Sequence, residues 1–273
     1  MRRFTWFNAT SLTIGFLFLY LPMLILVIYS FNESKLVTVW AGFSTKWYGE
    51  LFQNQAFLDA AWVTIEVAVI SSTIASILGT MAAYVLVRGG RFRGRTLFSG
   101  MIYAPLVMPE VITGLSLLLL FIGIGLDRGV LTIVLAHTTF SMCYVSVVVS
   151  SRLVSFDRSL EEAALDLGCS PFEAFRLVTL PIIAPAVISG WLLAFTLSLD
   201  DLVIASFTAG PSATTLPIKI FSAVRLGVSP EINALSTIMI SIVTVGVITA
   251  SLMSKRASVR QKREERAAER AAD

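Results

Sequence analysis

Residues 162–168 read Glu162-Ala163-Ala164-Leu165-Asp166-Leu167-Gly168, and Val178-Thr179-Leu180-Pro181 follows after nine more residues. This stretch has the composition of a soluble segment, whereas most of the chain is apolar. Ser159 lies three residues before Glu162, the spacing of a capping box, so a helix is predicted from about Leu160. Gly168 can supply the left-handed residue that closes this short helix.

A second helix is predicted directly after the first. Ser170-Pro171-Phe172-Glu173 repeats the start signal, with proline at the first helical position and glutamate three residues after the serine. This helix should run to about Thr179, because Pro181 and Pro185 lack a backbone donor and clash with a preceding helical carbonyl. Residues 152–181 are therefore predicted to form a helix-turn-helix outside a bilayer.

The rest of the chain has the composition of a polytopic membrane protein. Of its 273 residues, 56% are hydrophobic and 14% are charged, and the mean hydropathy is +0.80. Its long apolar runs can each cross a hydrocarbon core of about 30 Å as a helix. The first run is too long for a signal-peptide core and should remain as an anchor. The fold is predicted to be all-α, with six transmembrane spans at residues 12–31, 60–87, 96–123, 129–151, 182–207 and 231–254.

Lysine and arginine are unevenly distributed between the two sides of these spans. Two precede the first span, four lie at 88–95, three at 152–181 and seven in the basic tail 255–273, against five on the other side. By the positive-inside rule, both termini and the helix-turn-helix are cytoplasmic. Glutamates interrupt the tail, so it is interpreted as an anchor near anionic lipid rather than as a nucleic-acid site.

The segments outside the spans argue against a catalytic domain. The longest of them, 32–59, 152–181 and 208–230, are each too short to bury an independent core. The sequence has no Gly-rich phosphate loop ending in Gly-Lys-Ser/Thr, and no His, Cys and Asp cluster at metal-ligand spacing. The chain is therefore predicted not to be an enzyme, to hold no cofactor or metal of its own, and to depend on other chains for ATP chemistry.

Several motifs resemble one family of membrane proteins. Glu162-Ala163-Ala164, Gly168 and Leu180-Pro181 resemble the cytoplasmic signature loop of permease subunits in bacterial ABC importers, although Val178 stands where isoleucine is more usual. Trp40–Tyr48, Pro105–Glu110 and Phe195–Asp201 are similar to polyamine permeases of the putrescine/spermidine type, and within that family to the second permease of putrescine systems. The resemblance covers almost the whole chain. It implies the type I ABC importer permease fold, a location in the bacterial inner membrane, and import of a polyamine, above all putrescine.

The resemblance also implies partners. They are a cytoplasmic ABC ATPase dimer that binds ATP, a second paralogous permease that completes the pathway, a periplasmic polyamine-binding protein and the surrounding lipid. In that family the signature loop docks in a groove of the ATPase, so residues 152–181 are here called the coupling loop. A connector that merely packs onto the bundle would not need two capped helices. The residues expected to shape or form its docking surface are Leu160, Glu162, Ala163, Ala164, Leu167, Gly168, Leu180 and Pro181.

Acidic residues fall inside the predicted spans, beyond their first residue, at Glu66, Glu110, Asp200 and Asp201. A carboxylate at a helix centre costs about 2.5–3.5 kcal/mol on insertion scales, so each needs water, a cation or a partner. A diamine with two ammonium groups is such a cation. Glu110 is expected near or beyond mid-membrane, because it lies about 22 Å along a continuous helix from Arg95. Aromatic faces could assist the acids in binding an ammonium group. The aromatic candidates are Trp191, Tyr103 and Tyr144.

Each candidate also has a purely structural interpretation. Asp200 and Asp201 point about 100° apart on a helix, so one is expected to pair or cap internally, and Asp200 is preferred for the pathway. Glu66 can hydrogen-bond a neighbouring helix, and aromatic residues commonly pack cores or lie at bilayer interfaces. His137, the single histidine, is interpreted as a hydrogen-bonded interior residue.

Two other functions fit the same sequence. A permease of this architecture could carry spermidine, another amine or an anion, although no lysine or arginine falls within the predicted spans to bind an anion. An ion-coupled secondary carrier would use the same acids as ion sites. It would have no need of a docking loop, and no internal inverted repeat is discernible.

Overall fold

The structure is a computed structural model that describes residues 6–36, 39–227, 229–245 and 248. Within these residues the regular structure is helical, apart from one isolated bridge between Asn32 and Phe43. Two compact units are present, one formed by the described residues up to Gln55 and from Ala223 onward, the other by Ala56–Ser222. The helices are α1 (Trp6–Tyr29), α2 (Lys46–Gln53), α3 (Gln55–Arg88), α4 (Arg95–Val107), α5 (Glu110–Gly123), α6 (Val130–Ser155), α7 (Ser159–Asp166), α8 (Pro171–Ala174), α9 (Leu180–Asp200), α10 (Val203–Thr208), α11 (Leu216–Leu226) and α12 (Pro230–Val245).

Four continuous helical stretches are long and apolar enough to cross a membrane, namely α1, α3, α6 and Pro171–Asp200. The bent pair of α4 and α5 makes a fifth span if it counts as one, and α12 is shorter. The described residues therefore contain four or five candidate spans by length and composition, where the sequence predicts six. Residues 246–247 and 249–254 of the predicted sixth span lie outside the described residues, as does the basic tail 255–273.

The predicted third span, 96–123, is not a single helix. α4 and α5 are bent by 116° relative to one another. Proline disfavours the helical region for the residue before it, and Met108 is extended, with φ −74° and ψ 135°. Pro109 is also extended, so the chain changes direction between the two helices. The prediction that Glu110 lies far along a continuous helix is wrong, because Glu110 is the first residue of α5.

The prolines of the fifth span do not end a helix. Helical structure runs from Pro171 through a π turn at Phe175–Thr179 into α9. In this turn the Leu180 N–H bonds to the Phe175 carbonyl five residues back. The wider turn directly precedes Pro181, whose ring and missing N–H would disturb a regular α-helical turn. The helix ends at Asp200 instead of the predicted residue 207, and α10 follows after a two-residue break.

α6 is the central helix of the Ala56–Ser222 unit. Its Val145 is buried in a cluster with residues of α3 and α9. Two glycines permit the close approach of these helices. A Cβ on Gly79 would lie 2.7 Å from the Met142 carbonyl oxygen, and one on Gly190 would lie 3.1 Å from Cγ1 of Val145. Both neighbouring helices therefore meet α6 at Val145.

Gly79→Ala is expected to destabilise this core. The added methyl group would overlap the Met142 carbonyl oxygen and the Val145 side chain. Overpacking of this kind costs about 1–3 kcal/mol. Thermal unfolding of the purified protein in detergent should therefore occur at a lower temperature. Gly100→Ala is the matched control, since nothing lies within 4 Å of a Cβ built there. Equal unfolding temperatures for the two variants would contradict the close packing of α3 on α6.

The other unit contains a folded segment between α1 and α2. The backbone carbonyl of Asn32 accepts a hydrogen bond of 2.7 Å from Nε1 of Trp47. Nδ2 of the Asn32 side chain donates to the Val39 carbonyl at 2.7 Å. The hydroxyls of Ser30 and Tyr48 are hydrogen-bonded at 2.7 Å. Trp47 is buried. α2 is thus held against the residues that follow α1.

Candidate functional site

The coupling loop contains α7, whose start differs from the prediction. The Ser159 N–H donates to Oδ1 of Asp157 at 3.0 Å, and no side chain makes the predicted cap. Glu162 pairs instead with Arg158 at 3.1 Å, and both side chains are exposed. The predicted capping box of Ser159 and Glu162 is wrong, because Asp157 already binds the Ser159 N–H. That hydrogen bond lowers the pKa of Asp157 below its ordinary value.

The turn after α7 is the one that the sequence predicts. Gly168 has φ +90°, in the left-handed region. The Gly168 N–H donates to the Leu165 carbonyl at 3.0 Å, and the Cys169 N–H donates to the Ala164 carbonyl at 3.1 Å. This pair of hydrogen bonds is a Schellman motif, which satisfies the last carbonyls of the helix. The role of Gly168 in closing α7 is therefore confirmed.

The predicted capping box of α8 is also confirmed. The Glu173 N–H donates to Oγ of Ser170 at 3.4 Å, and the Ser170 N–H donates to Oε2 of Glu173 at 2.8 Å. The Ser170 N–H lowers the pKa of Glu173 below its ordinary value. Because the folded-state pKa is lowered, this bond stabilises the loop above the ordinary glutamate pKa. The contribution is lost as the pH falls through the folded-state pKa.

The coupling loop has an outward face and an inward face. The outward face carries exposed apolar side chains at Leu160 and Leu167, of which Leu167 is 87% exposed, whereas the exposed Phe172 lines a groove beside α3. The predicted docking residues Glu162, Ala163, Gly168, Leu180 and Pro181 are exposed as well. Ala164 is an exception, because it is buried on the inward face with Glu161 and Ala174.

Asp200 and Asp201 lie at the break between α9 and α10 and have different surroundings. Oδ1 of Asp201 accepts the Ile204 N–H at 3.3 Å, and Oδ2 accepts the Ala205 N–H at 2.7 Å, so this side chain binds free N–H groups at the start of α10. The side chain of Asp201 is 6% exposed, whereas Asp200 is exposed. The expectation that one of the two caps internally is therefore confirmed, and that residue is Asp201.

His137 of α6 completes a buried network at this break. Its Nε2 lies 3.1 Å from Oδ2 of Asp201, and its Nδ1 lies 2.7 Å from Oγ of Ser198. Oγ of Ser71 in turn donates to Ser198 at 3.3 Å. The network joins α3, α6 and α9 and confirms the interpretation of His137 as a hydrogen-bonded interior residue.

His137→Leu is expected to destabilise the helix break. The substitution removes the imidazole that bonds the buried Asp201 carboxylate and Ser198, and leaving a buried hydrogen-bonding group without its partner costs about 1–3 kcal/mol. The protein should therefore unfold at a lower temperature in detergent. Thr139→Val is the control, because the Thr139 hydroxyl bonds the Leu135 carbonyl of its own helix. If both variants unfold at the parent temperature, the network does not stabilise the break.

The other predicted pathway residues lie in five different helices. Glu110 begins α5 and is exposed, whereas Glu66 of α3 is half-buried. Nε1 of Trp191 in α9 donates to Oγ1 of Thr73 at 3.0 Å. Tyr103 packs against a buried cluster formed by α3 and α4. Tyr144, on α6, makes an edge-to-face ring contact within its own helix. Trp191 and Tyr103 are thus engaged in internal contacts along part of their surfaces.

The two helix breaks occur in elements that pack together. Gly114, one turn after Glu110, lies against α10, since a Cβ built on it would be 2.7 Å from Cδ2 of Phe207. α10 begins just after the break at Asp200 and Asp201. Non-helical backbone within a membrane is tolerated where protein or a water-filled cavity surrounds it. The exposed carboxylates of Glu110 and Asp200 therefore belong to two interrupted spans that contact one another.

The sequence pattern of the family described as "Binding-protein-dependent transport system inner membrane component" matches residues 75–263, which include the coupling loop and the acidic break. The chain belongs to this family. This permease is 62% identical over 251 residues to the putrescine transport system permease protein PotI of Escherichia coli, with 89% of each chain covered. It is 43% identical over 244 residues to the spermidine/putrescine transport system permease protein PotC of Escherichia coli, covering 89% of this chain and 92% of the relative.

Solved structures share the fold of the permease. A bacterial ABC transporter involved in the import of the acidic polysaccharide alginate matches with a TM-score of 0.69 and 19% identity, over 90% of this chain and 94% of that chain. The MetNI methionine ABC transporter matches with a TM-score of 0.60 and 15% identity, over 71% of this chain and 92% of that chain. The permease therefore has the fold of type I ABC importer permeases.

The residue that anchors the coupling loop was not among those predicted. Glu162, which was predicted, is exposed, whereas the neighbouring Glu161 is buried. Glu161 lies 2.9 Å from Nε of Arg88 and accepts a hydrogen bond of 2.8 Å from Thr179. No local signal distinguished the two adjacent acids, because Ala164, which shares a helix face with Glu161, was itself expected on the docking surface.

Proposed function

We propose that this permease is one transmembrane subunit of an ATP-driven importer that carries putrescine across the bacterial inner membrane. The observation that carries the proposal is the 62% identity to a putrescine permease over 89% of both chains. The chain would form half of the pathway and pair with a second, paralogous permease. Both termini and the coupling loop would be cytoplasmic, in keeping with the distribution of lysine and arginine.

The coupling loop supports a role for a separate ATPase. Its outward face exposes apolar side chains at Leu160 and Leu167. Exposed apolar patches of this kind mark protein–protein contact sites. An ABC ATPase dimer would dock here and hydrolyse ATP, so the permease itself would not be an enzyme. A periplasmic polyamine-binding protein would deliver the substrate from the opposite side.

The acidic break supports a cationic substrate. Asp201 is occupied by His137 and by backbone N–H groups, so Asp200 is the exposed carboxylate of the pair. Glu110 is a second exposed carboxylate, in a span that packs against α10. A diamine carries an ammonium group at each end, and two separate carboxylates suit such a molecule. A carboxylate in a membrane span is stabilised by a partner of this type.

Uptake into proteoliposomes tests the proposal. The permease is reconstituted with its permease partner, the ATPase and the binding protein, and labelled putrescine is offered with and without ATP. Accumulation should depend on ATP and should be competed more strongly by unlabelled putrescine than by spermidine. Stronger competition by spermidine would reassign the substrate. Accumulation that continues with an inactive ATPase and follows an ion gradient would establish a secondary carrier instead.

A further inference from the structure

The buried ion pair between Arg88 and Glu161 joins a membrane span to the coupling loop. Arg88 is the last residue of α3, and Glu161 lies in the first turn of α7. Nε of Arg88 and Oε2 of Glu161 are 2.9 Å apart, and their side chains are 11% and 10% exposed. The neighbouring pair of Arg158 and Glu162 is 66% and 60% exposed. Exposed ion pairs contribute little to the stability of a protein, whereas removing one partner of a buried pair destabilises the protein strongly.

The same carboxylate also binds the segment that leads into α9. Oγ1 of Thr179, which is fully buried, donates to Oε1 of Glu161 at 2.8 Å. Thr179 is the last residue of the π turn. Each oxygen of Glu161 therefore contacts a different element, one at the end of α3 and the other at the start of α9. We call Arg88, Glu161 and Thr179 the latch.

Two further contacts support the latch. Nη2 of Arg88 donates to the Phe156 carbonyl at 3.2 Å, and its guanidinium lies 5.5 Å from the centre of the Phe156 ring. Phe156 is the residue that follows α6. One turn before Arg88, the ring of Tyr84 makes an edge-to-face contact with Phe175 at 5.0 Å. The end of α3 thus contacts the first residue of the π turn directly and reaches its last residue through Glu161.

The latch and the docking surface use different side chains of α7. Leu160, Glu162 and Ala163 face outward, whereas Glu161 and Ala164 face inward. A substitution at Glu161 can therefore change how the loop is tied to the spans without altering the surface offered to a partner. This separation makes the latch testable independently of docking.

We propose that the latch makes α3 and α9 follow the coupling loop together, so that movement of a docked ATPase displaces two spans rather than one. Without it, the loop would keep its continuous helix into α9 but would lose its charged contact with α3. A groove of about 690 Å³ lies between α3 and the Pro171–Asp200 helix, with Tyr84, Phe175 and Trp191 among its walls. Because the latch ties the end of α3 to the residue that precedes α9, the two walls of this groove would keep their spacing as the loop moves. The inference rests on the proposed function, in which the coupling loop receives the ATPase.

Glu161→Gln in the reconstituted complex is the main test. The amide retains an oxygen for Thr179 but loses the charge that Arg88 requires. ATP hydrolysis should remain within about twofold of the parent, whereas putrescine imported per ATP hydrolysed should fall about fivefold or more, the range of ordinary coupling energies. Arg93→Gln removes an exposed arginine from the loop that follows Arg88 and should leave this ratio unchanged. Combining Arg88→Glu with Glu161→Arg should restore much of the ratio that Arg88→Glu alone loses.

A distance measurement on the otherwise native complex tests the latch even if these variants fold poorly. Spin labels replace the exposed residues Arg91 and Asp166 after Cys169→Ser removes the half-exposed thiol. Their separation should be the same without nucleotide and with ATP bound, because the latch keeps the end of α3 and α7 together. A change of more than about 5 Å, one helical turn, would overturn the proposal.

The outcomes separate the latch from the proposed function. If the parent complex imports no putrescine with ATP, the proposed function fails. If the parent imports putrescine and Glu161→Gln reduces hydrolysis and import by the same factor, or changes neither, the latch does not couple the two and the inference fails.

Discussion

Asp200→Asn is expected to reduce putrescine uptake by about ten- to hundredfold while leaving the unfolding temperature unchanged. The substitution keeps the size of the side chain but removes the charge that would bind an ammonium group. Hydrogen bonds to charged groups contribute about 1.5–3 kcal/mol, which corresponds to the stated loss. Stability should not change, because Asp200 is exposed and the internal partners at this break belong to Asp201. ATP-dependent uptake and thermal unfolding in detergent measure the two effects.

Asp201→Asn is the matched comparison at the adjacent position. It removes the carboxylate that pairs with His137 and binds the first N–H groups of α10, so the unfolding temperature should fall. Glu110→Gln should resemble Asp200→Asn, with impaired uptake and a parent-like unfolding temperature. Unchanged uptake in both Asp200→Asn and Glu110→Gln would remove these residues from the pathway.

Leu167→Glu is expected to weaken assembly with the ATPase at least tenfold and therefore to reduce ATP-dependent uptake strongly. Leu167 is 87% exposed, so a charge at this position should not disturb the permease alone. In a docked complex the glutamate would lie in an apolar interface, where an unfavourable central residue costs about 2 kcal/mol or more. The ATPase should co-purify with the variant at least tenfold less efficiently than with the parent.

Leu226→Glu is the control for this prediction. Leu226 is an equally exposed leucine, at 91%, and ends α11, outside the coupling loop. The variant should co-purify with the ATPase as the parent does. If Leu167→Glu retains the ATPase, the outward face of the loop is not the docking surface. If both variants lose it, the effect of the added charge is not specific to the loop.

The coupling loop was largely predictable because its signals are local. The Schellman turn at Gly168 and the capping box of Ser170 depend on residues within one helical turn of each other. The capping box at Ser159 failed because Asp157, two residues upstream, bound the same N–H. Asp157 and Glu162 are both close enough in sequence to bind the Ser159 N–H. The sequence pattern does not say which carboxylate reaches it.

The helix breaks were harder to predict because composition does not reveal them. The residues around Met108 and Asp201 are mostly apolar, so hydropathy alone predicts continuous helical spans at both positions. The break at Met108 depends on the restriction that Pro109 places on its neighbour. The break at Asp201 depends on tertiary contacts, since His137 lies 64 residues earlier in the chain.

The candidate site was predictable by residue type but not by role. Acids in apolar spans identified Asp200 and Asp201 as a pair with divided functions, and the structure assigns the internal function to Asp201. In the coupling loop the sequence pointed to the wrong member of an acidic pair. Glu162 was predicted to shape the loop, whereas the buried anchor is Glu161. Adjacent acids on a helix face different directions, and only packing tells which direction is inward.

The π turn at Phe175–Thr179 sets the rotational register of everything that follows it. Each residue of an α-helix turns the chain by about 100°, and the turn holds one residue more than a regular α-helical turn would. Because the helix continues unbroken to Asp200, this one turn determines which side of α9 meets α6 and which side carries the exposed carboxylate. Loss of a single residue there would rotate Gly190 away from Val145 and turn Asp200 with it. The length of this short turn is therefore as tightly constrained as the identity of the acid at the far end of the helix.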